Sequence, residues 1–383
     1  MPETDRTRLI ASATRRGLGR RVVNPPLERG STLLSDRAED MRDASLGPVY
    51  GLDGLAPQRA LADALAEMEG ACRTLLAPSG LSALTTPLLA LTRAGDEVVA
   101  SDAIYGPSRR FLTRFLATRG VTTRFHAPGA SPEEIAGFIG PATRLILIES
   151  PASLTFEMMD VAALSAVARE RGALTVMDNT WAAGLAFKPL QHGVDVSVQA
   201  VTKYVAGHSD VLLGAMSVAD PTIARALANA VEDLGLHVSP DDAWLALRGL
   251  RTLPVRLQAH EKAALRVAEW LERRPEVARV LYPPLPGSEG HPLWSRDYSG
   301  AAGLMGVVMR DWDEARAQAF MNRLTLFGLG YSWGGFESLI THETGQLSLR
   351  ARPPRLEGAL LRLHVGLEDP HDLIADLSRA FTE

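Results

Sequence analysis

The stretch RLILIESPASLTFEMMDVAALSAVARERGALTVMDN, residues 144–179, decides the fold. Two short runs of apolar β-formers, RLILIES and LTVMDN, flank DVAALSAVARERG, whose apolar residues recur at helical spacing. The same alternation extends to both sides. PQRALADALAEMEG reads as a helix ending near Gly70, and SGLSALTTPLLALTRAG as a second. EVVASD follows as a strand, PSRRFLTRFLATRG as a helix, TTRFHA as a strand and SPEEIAGFIG as a helix, and DVSVQAVTKY comes later as a strand. Strands alternating with helices predict an α/β domain with a mostly parallel sheet covered on both faces. Ligands of such sheets bind at the carboxyl ends of the strands. Tyr105, Ser150, Asp178 and Lys203 all fall there.

Past residue 250 the pattern changes to a helix and strand in HEKAALRVAEWLERRPEVARVLY, then GLMGVVMR, EARAQAFMNRLTLF and LLRLHVGLE, which fits a smaller α+β domain. The expected division is an arm over residues 1–53 that reaches a neighbouring subunit, an α/β domain over 54–249 and a C-terminal α+β domain over 250–383. Residues 1–50 read as irregular, broken by Pro25, Pro26, Gly30, Gly47 and Pro48.

Composition excludes several classes. With 46% hydrophobic and 22% charged residues, the chain has a globular balance. It lacks an apolar run long enough for a membrane helix, and MPETDRTRLIASATRRG carries no apolar leader, so the cytoplasm is the default expectation. Net charge is −5, and the densest basic run (Arg15, Arg16, Arg20, Arg21) lacks interleaved aromatics, so it reads as a solvated arm and no nucleic-acid partner is expected. A lone cysteine, Cys72, rules out an intrachain disulfide and reads as a packed thiol in a helical stretch. The histidines lack metal-ligand spacing, so no metal is expected.

Lys203, in VQAVTKYVAGHSD, closes an apolar strand, where desolvation lowers an amine's pKa toward the neutral form that Schiff-base chemistry needs. Alone, it is equally a surface lysine. Asp178, in TVMDNTWAAG, can face a protonated pyridine nitrogen or simply cap a helix. Ser79 and Gly80 open a helix whose free amides suit a phosphate, and Thr202 can add a hydroxyl. Arg362, in LLRLHVGLED, can grip a carboxylate through two parallel hydrogen bonds or lie in solvent. YSWGGFES, with Tyr331, Ser332 and Trp333, reads as a tight loop. GHSDV has Val211 where a nucleophile elbow needs its second glycine, which disfavours a hydrolase.

Taken together, YG at 50, PSG near 79, Tyr105, DNTWAAG, TKY, GHSD, YSWGG and RLHVGLED resemble, in order, the Cys/Met-metabolism family of pyridoxal-phosphate (PLP) enzymes. The similarity runs from about residue 20 to the C-terminus, and Trp181, Trp333 and Ala200 place it nearest the bacterial cystathionine β-lyase branch. The resemblance implies PLP fold type I, the aspartate-aminotransferase-like architecture. It implies that Lys203 carries the cofactor as a Schiff base and shuttles the proton, with Asp178 at the ring nitrogen and Tyr105 stacked on the ring as a second catalytic residue. Ser79, Gly80, Leu81 and Thr202 are then phosphate ligands, and Tyr50 reaches the phosphate of the neighbouring subunit. Arg362, with Tyr331, Ser332 and Trp333, holds the substrate. A homotetramer built from dimers with shared sites is expected, cleaving cystathionine to homocysteine, pyruvate and ammonia in methionine biosynthesis. One departure stands out: relatives often carry arginine two places after the tyrosine of YG, where this chain has Leu52, followed by Asp53. Arg59 is a candidate to compensate. Competing readings are a γ-elimination or γ-replacement enzyme, a cysteine desulfhydrase, or a non-catalytic binding protein.

Overall fold

The structure is a computed structural model, and it describes residues 4–11 and 22–382. The arginine run at 15–21 lies outside the described residues. Seven strands form the larger sheet: β1 (Arg73–Ala77), β2 (Glu97–Ser101), β3 (Thr122–His126), β4 (Thr143–Glu149), β5 (Leu174–Asp178), β6 (Val196–Gln199) and β7 (Gly214–Val218). Their order is β1-β7-β6-β5-β4-β2-β3. β3, β2, β4, β5 and β6 run parallel, and β7 is antiparallel to both of its neighbours.

Successive side chains of a strand point to opposite faces, and β4 shows what that does here. Leu145 and Leu147 enter one apolar cluster with Leu84, Leu88 and Leu227, while Ile146 and Ile148 enter the other with Leu61, Leu65 and Leu164. Burial on both faces explains why these strands read as continuous apolar runs. Each such side chain taken out of water contributes roughly 1.5–3 kcal/mol.

The second sheet, β10-β11-β12-β9-β8, comprises β8 (Val277–Leu281), β9 (Leu304–Met309), β10 (Gly328–Leu329), β11 (Leu339–His342) and β12 (Leu360–His364). A 33-residue helix, Pro240–Glu272, runs through position 250, so one continuous element crosses the expected division between the two larger parts.

Three local expectations are corrected. The helix Ala56–Glu69 stops where Gly70 turns left-handed (φ 71), and the chain at once enters β1, which the sequence reading had missed along with β7. Cys72 therefore lies on an exposed sheet margin, its amide bonded to the Val218 carbonyl at 2.9 Å, and is not a packed thiol. The region before residue 50 is not wholly irregular: Asp5–Ala11 is helical, with Leu9 buried in the core and Asp5 paired to Lys188 at 2.8 Å. The third concerns the lysine: β6 ends at Gln199, and Lys203 sits in the turns beyond it, not on the strand. Among the described residues no helix is long and apolar enough to cross a membrane, and no three His, Cys, Asp or Glu cluster as metal ligands.

Candidate active site

At the carboxyl end of the parallel strands the chain gathers charged groups that apolar burial would otherwise exclude. Asp178 closes β5, and two hydrogen bonds from Thr180, amide at 3.0 Å and hydroxyl at 2.5 Å, both fall on Oδ1. The Thr180 hydroxyl also accepts the Ala200 amide at 2.9 Å, tying the end of β5 to the end of β6. Burial raises the Asp178 pKa, opposed by Thr180 and by the charge of Lys203.

Lys203 lies three residues past Ala200. Its Nζ donates to Ser332 Oγ at 2.5 Å and sits 5.3 Å from the centre of the Trp333 ring. Burial lowers its pKa to about 8; Arg362 pushes the same way and Asp178 opposes. Arg362, on β12, keeps one nitrogen 3.5 Å from the buried Glu343 carboxylate, which also accepts Thr341 Oγ1 at 2.6 Å. Its pKa is lowered by burial, against the influence of Glu343, Tyr105 and Tyr331. Tyr105 follows β2, and its phenol is pushed up by burial and by the carboxylates of Asp178 and Glu149, with Arg362 and Arg110 opposing. Charge thus couples Tyr105 to Asp178 and Arg362, and Lys203 to Asp178 and Arg362, although the four are far apart in sequence.

The helix Gly80–Leu91 points its N-terminus toward the end of β6. Ser79 caps it, its Oγ accepting the Ser82 amide at 3.1 Å while Ser82 Oγ accepts the Ser79 amide at 2.9 Å. The amides of Gly80 and Leu81, at the first two helical positions, have no acceptor within the helix. The approach is close: a Cβ on Gly80 would lie 2.4 Å from Ala200 Cβ. Thr202 is less available than expected, because its hydroxyl donates to the Leu213 carbonyl at 3.2 Å and accepts the Leu213 amide at 3.0 Å. It holds the turn that carries Lys203.

Tyr50 is not brought to this group within one chain. Half-exposed, it pairs with Thr32 in an isolated bridge and borders a surface cavity with Arg29, Leu52 and His237. Asp53 fastens this loop by accepting the Val49 and Tyr50 amides at 2.8 and 2.9 Å. Leu52 is exposed, and Arg59 borders a different cavity with Cys72 and Arg73.

Glu149 was missed. Sequence reasoning singled out Ser150, which is buried and structural: its Oγ accepts the Met159 amide at 3.1 Å and its carbonyl accepts the Tyr298 hydroxyl at 2.7 Å. The acid one place earlier pairs in register with Asp178 across β4 and β5, and accepts the Tyr105 amide at 2.7 Å. Burial and Asp178 raise its pKa well above the usual range, with the Tyr105 amide and Arg350 opposing. The available signal was position, a carboxylate closing an apolar parallel strand.

These groups fit PLP on their own chemistry. A half-buried carboxylate keeps one oxygen clear of the Thr180 bonds, an amine has its pKa lowered to about 8, and a helix N-terminus is packed so closely that only glycine fits at its first position. Fold and site together define a fold type I PLP-dependent enzyme. A family model described as "Cys/Met metabolism PLP-dependent enzyme" matches residues 6–382, and the chain belongs to that family. It is 42% identical to cystathionine β-lyase of Bordetella avium over 94% of this chain and 92% of the relative. It is 39% identical to the Escherichia coli cystathionine β-lyase over 94% and 93%. A crystal structure of cystathionine γ-synthase from Xanthomonas oryzae pv. oryzae, 31% identical, covers 100% of this chain and 98% of its own with a TM-score of 0.92.

Proposed function

We propose that this enzyme is a carbon–sulfur β-lyase that cleaves cystathionine by α,β-elimination to homocysteine, pyruvate and ammonia, as a step in methionine biosynthesis. The convergence of Lys203, Asp178 and Arg362 on one space carries the reading. When bound, PLP supplies an aldehyde for the substrate's amino group and a ring that accepts the electron pair left at Cα.

Arg362 holds the α-carboxylate, with Tyr331, Ser332 and the Trp333 indole around it. Fixing the carboxylate on a guanidinium whose position Glu343 already sets orients Cα toward Lys203. The Lys203 amine takes the Cα proton, a role suited to a pKa of about 8. As the Cβ–S bond breaks, the pair at Cα becomes the Cα–Cβ double bond, and the bond's own pair leaves on sulfur, which takes up a proton. Water then hydrolyses the released three-carbon enamine to pyruvate and ammonia. Asp178 would hold a proton on the ring nitrogen, and Tyr105 would pack against the ring. Ser79, Gly80, Leu81 and Thr202 would hold the phosphate, Thr202 only if its bond to Leu213 yields.

Tyr50 completes the site from a second subunit, in a tetramer built from dimers. Large exposed apolar residues on the N-terminal arm, including Val23, Leu34, Met41 and Leu46, support an assembly. We also assign the arm, α/β and α+β parts to 1–53, 54–249 and 250–383, the last division falling within the helix Pro240–Glu272, and the enzyme to the cytoplasm.

Product identification tests the reaction. Pyruvate plus homocysteine from cystathionine is the expected result, abolished in Lys203→Ala. Release of 2-oxobutyrate plus cysteine would assign γ-elimination instead.

A further inference from the structure

The residue after the site lysine, Tyr204, is fully buried, and its ring lies 5.5 Å from Trp333 and 5.7 Å from His364. His364 closes β12, two residues beyond Arg362 and so on the same face of the strand. One edge of its imidazole meets the Tyr204 hydroxyl, Nδ1 to oxygen 3.4 Å. The other edge, Nε2, lies 3.1 Å from the Gly334 amide and 3.2 Å from the Gly335 carbonyl. Either neutral tautomer thus ties the turn at 334–335 to the chain at 204.

That turn is under strain. Ser332 has φ 86, a left-handed conformation a serine seldom adopts, and such backbone persists only where its surroundings hold it. Gly334 (φ 88) packs directly on the lysine segment: a Cβ there would lie 2.7 Å from the Tyr204 nitrogen and 2.9 Å from the Lys203 carbonyl carbon. Ser332 Oγ is the acceptor for Lys203 Nζ. A closed loop of contacts runs from Lys203 to Tyr204, His364, Gly334, Ser332 and back to Lys203.

We propose that His364 is a positioning residue for the reaction, a buried clasp that holds the strained 332–335 turn so that Ser332 and Trp333 stay against Lys203. The inference rests on Lys203 being the cofactor lysine. His364 suits the task because it keeps one charge state: burial, the neighbouring His260 and the cations of Arg362 and Lys203 lower its pKa to about 3. A neutral ring keeps an acceptor nitrogen at every working pH.

Two substitutions separate the clasp from mere filling of space. The terminal amide of glutamine reaches the position of Nε2, whereas that of asparagine reaches only Nδ1. His364→Gln is expected to keep kcat within about 3-fold, and His364→Asn to lower it about 10- to 100-fold, the scale of a small misplacement of catalytic groups. KM rises less than kcat falls, because Arg362 is set by Glu343 and not through His364. Amide exchange of the apoprotein gives a readout independent of turnover: in His364→Asn the Gly334 amide loses protection, while Leu361 and Leu363 on β12 keep theirs. Equal kinetics for the two variants, unchanged Gly334 protection, or protection lost equally along β12 would each overturn the proposal. A Lys203→Ala control that still turned over would instead remove the reading on which it rests.

Discussion

Removing the Arg362 charge should make Lys203 harder to deprotonate, and removing the Asp178 charge should make it easier. The starting point is a lysine lowered from 10.5 to about 8, first by burial, then by Arg362, with Asp178 opposing. At pH 7.5 an amine with pKa about 8 is roughly a quarter neutral, whereas one at 10.5 is about 0.1% neutral, so the pocket supplies roughly 200-fold more free base. Only the neutral amine attacks an aldehyde. The rate at which apoprotein captures PLP, followed by absorbance against pH at saturating cofactor, should therefore rise to a plateau with its midpoint near 8. Arg362→Leu should move that midpoint up and Asp178→Asn should move it down, with no amino-acid substrate present to confuse the comparison. A wild-type midpoint above about 10, where ordinary lysines titrate, would refute the account. So would a shift of the two variants in the same direction, because burial alone cannot produce opposite signs.

Two further predictions concern the scaffold. Gly80→Ala places a Cβ 2.4 Å from Ala200 Cβ and 2.9 Å from Ala200 Cα. Overpacking of this kind costs about 1–3 kcal/mol, so cofactor affinity and thermal midpoint should both fall; the double variant with Ala200→Gly, which removes the nearer contact, should recover part of the loss in both. Glu69 is buried against Ser197 and Gln199, and burial raises its pKa from 4.5 to about 7. Between those values the folded chain keeps a proton that the unfolded chain releases, so stability falls as pH rises and levels off above pH 7. The total is about 3 kcal/mol at roughly 1.4 kcal/mol per unit. Glu69→Gln lacks this loss, so its denaturation free energy relative to the wild-type apoprotein should improve by about that amount from pH 4.5 to pH 8; a difference independent of pH would disprove the assignment.

The local elements were legible where one physical signal dominated. The helix Ala56–Glu69 has apolar residues at helical spacing and a glycine to stop it, and β4 is an apolar run bounded by turns. β1 and β7 were not legible. RTLLA and GAMSV each hold a single β-branched residue, so neither reads as a run of β-formers. They exist as strands because they pair with each other, Arg73 opposite Val218, across a long stretch of chain. Cys72 was misjudged for the same reason: its exposure depends on where β1 begins.

From residues alone came the α/β class and Lys203, Asp178 and Arg362 as candidates in their order along the chain, because apolar runs and turn residues encode local structure and the strands' carboxyl ends mark where ligands bind, while the family resemblance supplied the role expected of each. Only the tertiary structure decided what those groups experience. It set Glu149 beside Asp178, tied the Thr202 hydroxyl to Leu213, left Tyr50 outside the group formed by its own chain, and placed His364 between the lysine and the turn that faces it. Burial and charge–charge distance belong to the folded arrangement. Residues as remote in the chain as Lys203 and Ser332 acquire a contact only once two separate sheets have packed.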